Sequence, residues 1–297
     1  MSGEGDMKTQ DVSKTLYIPL YGKALVSRKG IILHDPKAEH IWSREGFALT
    51  GKAKSKWLAY YMGMRSAVFD RWLADEMRSN PEAVILHIGC GMDSRIDRVG
   101  TDGHLWFDVD FPDVITSRRK YFTEDSYYHM ICSDARNTEW LQQLPSDRKA
   151  LIIMEGFSMY LAKGELLSLL RSLTDHFSSV DLLMDVYTVL AAKISKYKNP
   201  IGEVGITKVQ GIDNPKELID GTCLSFIQEL NMTPDDLIGE LHGFEKTFFR
   251  LLFAGDFSRR LYRLYEYKNN QRRRHDGKHH NCRCESGHRI LSHREIA

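Results

Sequence analysis

The sequence predicts one α/β domain: a seven-stranded sheet, mostly parallel with one antiparallel strand. Three observations carry that prediction. Between residues 84 and 196 short apolar runs alternate with segments of helical pattern. Strands spaced by helices form parallel βαβ units with helices on both faces of the sheet. Near the C-terminus two strand-like runs are joined by little more than Gly255-Asp256, and so short a connection forces an antiparallel pair. The composition agrees: of 297 residues, 42% are hydrophobic and 27% charged, as in a globular protein. No apolar run approaches the ~20 residues of a membrane-spanning helix.

Residues 1–14 are polar and are expected to fray. Leu16, Leu20 and Leu25, with Tyr17 and Tyr21 between them, predict a short helix. Asp35-Pro36 reads as a cap and first-turn proline, opening a helix through Trp42. Over 53–79, Trp57, Tyr61, Met64, Val68 and Trp72 recur at helical spacing. Residues 15–80 are thus expected to be a helical cover. Val84-Ile85-Leu86-His87-Ile88, ending in Gly89, is a buried strand. Further strands are predicted at His104–Asp110, Tyr127–Cys132, Ala150–Glu155 and Val180–Tyr187. Helices are predicted near 113–122, at Thr138–Gln143, and near 163–177 and 188–196. Residues 197–243 are rich in turn formers, with helical pieces near Pro215–Ile219 and Pro234–Leu241. They read as an inserted lid. Lys246–Phe253 and Arg260–Tyr267 complete the sheet as the antiparallel pair.

The net charge of +1 hides an asymmetry. Residues 268–297 hold eight basic and three acidic residues, net +5, which leaves −4 for residues 1–267. A body of that charge is not built to track a nucleic-acid backbone. The five cysteines are an odd number, and Glu4 and Asp6 near Met1 do not suit a secretory signal, so free thiols in the cytoplasm are expected. No membrane partner is expected, and oligomeric state is not legible.

Chemistry concentrates at strand ends. Gly89-Cys90-Gly91 follows the first strand, where glycines permit a tight turn and close approach of a ligand. Asp110 lies nineteen residues beyond Gly91, at the end of the second strand, placed to accept hydrogen bonds from two ribose hydroxyls. A dinucleotide fingerprint would need Gly or Ala where Ser94 stands, and Asp93 would repel a pyrophosphate. A cationic, phosphate-free nucleoside such as S-adenosylmethionine fits better.

The segments VILHIGCGMDSR (84–95), WFDVDFPDVITSRRKYF (106–122), SDA (133–135) and EGFSMYL (155–161) resemble the leucine carboxyl methyltransferase superfamily, which includes tetracenomycin-type polyketide O-methyltransferases. TLYIPLYGKALVSR and HDPKA resemble that group's N-terminal helices. The resemblance spans about residues 15–267 and implies the Rossmann-like fold of class I methyltransferases. It implies S-adenosylmethionine as cofactor and methyl transfer to a carboxylate or phenolic hydroxyl, on a small molecule or a protein C-terminus. It also implies contacts to that cofactor. Arg65 would meet the methionyl carboxylate, Gly89 and Gly91 would line the methionyl group, and Asp110 would hold the ribose. Asp134 and Ala135 would meet the adenine, Glu155 the amino group, and Tyr160 would flank the pocket. His87 and the stretch Asp97-Arg98-Val99 depart from the more apolar pattern of that group, and a buried histidine needs a partner.

No nucleophile–base pair stands at catalytic spacing. Tyr17, Tyr21, His34 and His40 on the cover are the candidate bases. A carboxylate acceptor is already ionised at neutral pH, whereas a phenol of pKa about 10 needs a base, so the sequence leans towards a carboxylate. The rival readings are an NAD-dependent oxidoreductase and a non-catalytic cofactor-binding protein. Residues 268–297 read as a basic, disordered, histidine-rich tail. His279, His280, Cys282, Cys284 and His288 match no closed tetrahedral metal site, and no metal is expected.

Overall fold

The computed structural model describes residues 16–46, 49, 51–195 and 209–269. Its centre is a sheet of seven strands in the order β3-β2-β1-β4-β5-β7-β6. The strands are β1 (Val84–Ile88), β2 (Trp106–Asp110), β3 (Tyr128–Cys132), β4 (Lys149–Met154), β5 (Ser179–Tyr187), β6 (Leu224–Leu230) and β7 (Tyr262–Asn269). β1 to β5 pair in parallel, and β7 runs antiparallel to both β5 and β6. β7 is therefore the one reversed strand.

All five residues of β1 are buried. Val84, Leu86 and Ile88 face one way, onto Leu166, Leu169, Leu170 and Leu173 of the helix Lys163–His176. Ile85 faces the other way, towards a cover of three helices: α1 (Tyr17–Arg28), α2 (Pro36–Glu45) and α3 (Lys56–Ser79). Phe69, Trp72 and Leu73 of α3 fill that side. Asp35 caps α2 through Ala38 N–H at 2.8 Å, as its place before a proline predicts. Four helices follow β1, β2, β4 and β5: α4 (Arg95–Val99), α5 (Pro112–Arg118), α6 (Lys163–His176) and α7 (Val189–Ser195).

Two expectations need correction. Lys246–Phe253 is not a strand. It lies within a helix, Gly243–Phe253, which follows the short helix α8 (Asp235–Gly239) and is labelled α9. Its apolar residues recur at helical spacing. Phe249 is buried, Phe248 sits 4.5 Å from the Trp57 ring, and Glu245 pairs with Lys56 at 2.7 Å. Tertiary contact with α3 decides the conformation of a segment whose aromatic content suits either state. The partner of β7 is instead β6, inside the stretch read as a lid. β6 is an edge strand with a bulge between Phe226 and Gln228 and only Leu224 buried, so it lacks clean alternation. The described part of that stretch, residues 209–243, thus supplies sheet as well as loop, and residues 196–208 lie outside the described residues.

The boundary of the basic tail also shifts. β7 runs through Asn269, and Lys268 bridges Glu76 at 2.6 Å and Asp181 at 3.5 Å. Residues 1–15 and 270–297, including the histidine- and cysteine-rich segment, lie outside the described residues.

Candidate active site

The carboxyl ends of β1, β4 and β5 open beneath α1 and α3 onto a cavity of about 180 Å³. The turn after β1 forms its floor. Gly89 and Gly91 have φ of +70° and +53°, a region that side chains strain to adopt. A Cβ on Gly89 would lie 2.6 Å from the Phe157 ring, and one on Gly91 would lie 2.8 Å from Leu16. The turn is therefore closed from above by the start of the cover and from the side by the β4 loop.

One end of the cavity is ionic and buried. Arg65, on α3, reaches Glu155 at 2.9 Å and Asp185 at 3.0 Å, and its Nη1 donates to Tyr262 Oη at 2.8 Å. Arg95 also bonds Glu155 and lies 2.6 Å from Asp70. Lys23, buried on α1, stands 3.3 Å from Asp93. Burial raises the Glu155 carboxyl, but Arg65 and Arg95 outweigh it and bring the group down to about 2. Asp185 behaves oppositely: burial pushes it up to about 6, only partly offset by Arg65.

The departures noted in the sequence find partners here. Arg98 binds Asp70 and Asp35 at 2.6 Å and Asp93 at 2.9 Å, tying α4 to the cover. His87 Nε2 lies 3.2 Å from Arg95, and its Nδ1 lies 3.4 Å from Asp108. Burial lowers the His87 pKa, so the ring is neutral at physiological pH.

Asp110 is half-buried and accepts N–H bonds from Gly91 and Phe111, each at 2.8 Å. Among the described residues no Lys or Arg forms an ion pair with it. Burial pushes its carboxyl up to about 6. This acceptor, beside the glycine turn and with Arg118 near but not paired to it, suits hydroxyl donors. The cations and acids at the cavity's other end suit a zwitterionic amino-acid group. That donor set fits S-adenosylmethionine.

The comparisons with known proteins agree. A profile of the family described as leucine carboxyl methyltransferase matches residues 7–174, more than half of the chain. This chain belongs to the leucine carboxyl methyltransferase family. It is 29% identical over 240 residues to the tetracenomycin polyketide synthesis O-methyltransferase TcmP of Streptomyces glaucescens, covering 79% of this chain and 88% of that protein. It is 28% identical over 238 residues to the S-adenosyl-L-methionine-dependent methyltransferase dpfgK of Gibberella zeae, covering 72% of this chain and 80% of that one. A DUF574 family protein from Streptomyces avermitilis shares the fold, with TM-score 0.52 and 11% identity over 79% of this chain and 89% of its own. The protein is an S-adenosylmethionine-dependent methyltransferase, and the oxidoreductase and non-catalytic readings fall away.

Of the residues singled out in the sequence, the methyltransferase brings Arg65, Gly89, Gly91, Glu155 and Tyr160 together on the cavity wall. Asp110 adjoins the wall through Gly91. Asp134 and Ala135 stand further off, after β3: Asp134 is paired with Arg136 at 2.6 Å, and Ala135 is buried beneath the sheet. Tyr17, Tyr21, His34 and His40 do not line the cavity. His34 and His40 are exposed, and Tyr21 donates to Lys54 O at 3.4 Å and packs on Trp42.

Sequence reasoning missed Lys23, Asp93 as a partnered acid, Asp185, Tyr187 and Tyr262. Asp185 and Tyr187 end a strand that reads as core. Tyr262 begins a strand at the far end of the chain, and only the antiparallel register Tyr187↔Tyr262 brings it here. No helix among the described residues is long and apolar enough to cross a membrane.

Proposed function

We propose that the methyltransferase acts on an oxygen of a small, largely apolar molecule, with a phenolic hydroxyl favoured over a carboxylate. One observation carries this reading: away from the ionic end, the cavity wall is Ile18, Pro19, Leu58, Met62, Met159 and Tyr187. Such a surface gains by covering an aromatic body. The cations at the cavity, Lys23 and Arg65, already face Asp93, Glu155 and Asp185. A carboxylate acceptor would meet those acids without a cation of its own.

In the same reading Arg65, Gly89, Gly91 and Glu155 would hold the methionyl group of S-adenosylmethionine. Asp110 would hold the ribose, Asp134 and Ala135 would flank the adenine, and Tyr160 would close the pocket. The cofactor supplies a methyl group already activated by its sulfonium. The protein's part is then to orient the nucleophile and keep water out, which Leu16, Leu58 and Met62 do from the cover.

The test uses methyl-labelled S-adenosylmethionine with an extract, followed by mild alkali. Alkali-stable label in organic-soluble small molecules supports an aryl ether. Release as volatile methanol would redirect the reading to a carboxylate, and label confined to protein would overturn the small acceptor.

A further inference from the structure

A phenol must lose its proton as it is methylated, and the candidate bases read from the sequence, Tyr17, Tyr21, His34 and His40, do not line the cavity. The structure holds one beside the cavity. Asp185, two residues before the end of β5, is fully buried, and its Oδ2 accepts from Tyr262 Oη at 2.9 Å and from Arg65 Nη1 at 3.0 Å. Its Oδ1 accepts from Gly156 N–H at 2.8 Å. Tyr262 is one of the residues lining the cavity, with its ring edge-on to Tyr187 at 4.8 Å. It donates its single proton to Asp185 and accepts one bond, from Arg65 at 2.8 Å. A hydroxyl oxygen has two lone pairs, so one is left for an O–H donor in the cavity.

We propose, resting on the hydroxyl-acceptor reading above, that Tyr262 and Asp185 form the proton-accepting pair for the methyl acceptor. The acceptor O–H bond breaks towards Tyr262 Oη while the Tyr262 proton passes to Asp185 Oδ2. The freed pair on the acceptor oxygen forms the new bond to the methyl carbon, and the old C–S pair stays on sulfur as a neutral thioether. The proton ends on Asp185 and leaves to solvent after product release.

The surroundings select Asp185 over its neighbour. Glu155 is held at about 2 by Arg65 and Arg95 against the effect of burial, which makes it a poor base. Asp185, pushed up to about 6 by burial, is ionised at neutral pH yet has a greater affinity for a proton. The groups facing it are Arg65 and Tyr61 from α3, Glu155 beyond β4 and Tyr262 on β7, and Tyr187 in turn faces Tyr262. Arg65 is the cation among them, and it touches Asp185 and Tyr262 alike. A pair that only clamped Arg65 would affect cofactor binding and slow every acceptor equally.

The experiment compares wild type with Tyr262→Phe on naphthols graded in acidity by nitro substituents. Methyl transfer from labelled S-adenosylmethionine and calorimetric binding of S-adenosylhomocysteine are both read. For weakly acidic naphthols Tyr262→Phe should lower kcat about 100-fold. Nitronaphthols, which arrive ionised, should change less than about threefold, and product binding should hold within about threefold. Equal loss across the series, or lost S-adenosylhomocysteine binding, overturns the pair while leaving the acceptor reading intact. Failure of wild type to methylate any naphthol overturns the acceptor reading, and the pair falls with it. Should Tyr262→Phe not fold, the wild-type pH profile decides. With S-adenosylmethionine saturating at every pH, kcat/KM for weakly acidic naphthols should fall below about pH 6, as Asp185 takes up a proton, with no such limb for dinitronaphthols, which stay ionised there. The same limb in both series would overturn the pair.

Discussion

Arg65 and Glu155 pair at 2.9 Å although ninety residues separate them in the chain. The contact pins the third cover helix to the end of the fourth strand, and both side chains are almost wholly buried. A buried pair of this kind costs much to desolvate, and removing one partner is worse than removing both.

Arg65→Ala should therefore destabilise the protein by about 3–5 kcal/mol, because it leaves Glu155 and Asp185 charged without this partner. Thermal unfolding at pH 7 checks this. Arg65→Lys should recover part of the stability but not cofactor affinity, since an ammonium cannot reproduce the guanidinium fork that bonds Glu155, Asp185 and Tyr262 together. An unchanged melting temperature for Arg65→Ala would contradict the role assigned to the pair.

Gly89→Ala should destabilise by about 1–3 kcal/mol and weaken S-adenosylhomocysteine binding, through the positive φ and the Phe157 ring. The double variant Gly89→Ala with Phe157→Ala should relieve the steric part and leave the backbone strain. Chemical denaturation of the three variants separates the two contributions.

Asp110 should make nucleoside binding sensitive to pH. Its carboxyl is pushed up to about 6, so below that pH it takes a proton and accepts hydrogen bonds less well. Binding of 5′-methylthioadenosine, which lacks the amino-acid group, should weaken as pH falls from 7 towards about 5. Asp110→Asn should bind it about tenfold or more weakly at pH 7 and lose the pH dependence. Calorimetry across that range is the measurement.

Acid should unfold the protein through two other groups. Glu155 and Asp108 are both lowered to about 2, from ordinary values of 4.5 and 3.8. Burial raises each, and Arg65 and Arg95 for the first and Arg118 for the second more than compensate. A depressed acid contributes stability above its unfolded pKa and loses it as pH falls through the folded one. Stability should thus drop between about pH 4.5 and 2. Asp110 and Asp185, both raised to about 6, have the opposite sign: their contribution is full below about 3.8 and is lost as pH rises through 6. Melting temperature against pH should show both slopes, and Asp108→Asn should flatten the acid one.

The local pattern of the chain determined much of this protein. Alternating apolar runs and helical periods gave β1 to β5 and their helices. Asp35-Pro36 marked a helix start, and Gly89-Cys90-Gly91 marked the tight turn that Asp110 braces. These signals are local: a strand buried on both faces must be apolar throughout, and a tight turn with positive φ needs glycine. The tertiary structure alone decided the rest. Segment 243–253 is helical because α3 receives its Phe248 and Phe249. β6 joins the sheet as an edge strand, whose half-exposed residues carry little periodic signal. Asp185 and Tyr262, 77 residues apart, become a hydrogen-bonded pair only through the antiparallel register of β5 and β7. Charges that looked misplaced in the sequence, Asp93 and Arg98, pair with each other and, across elements, with Lys23, Asp35 and Asp70. Complementarity between distant residues has no period along a chain, so it becomes visible only when the chain is folded.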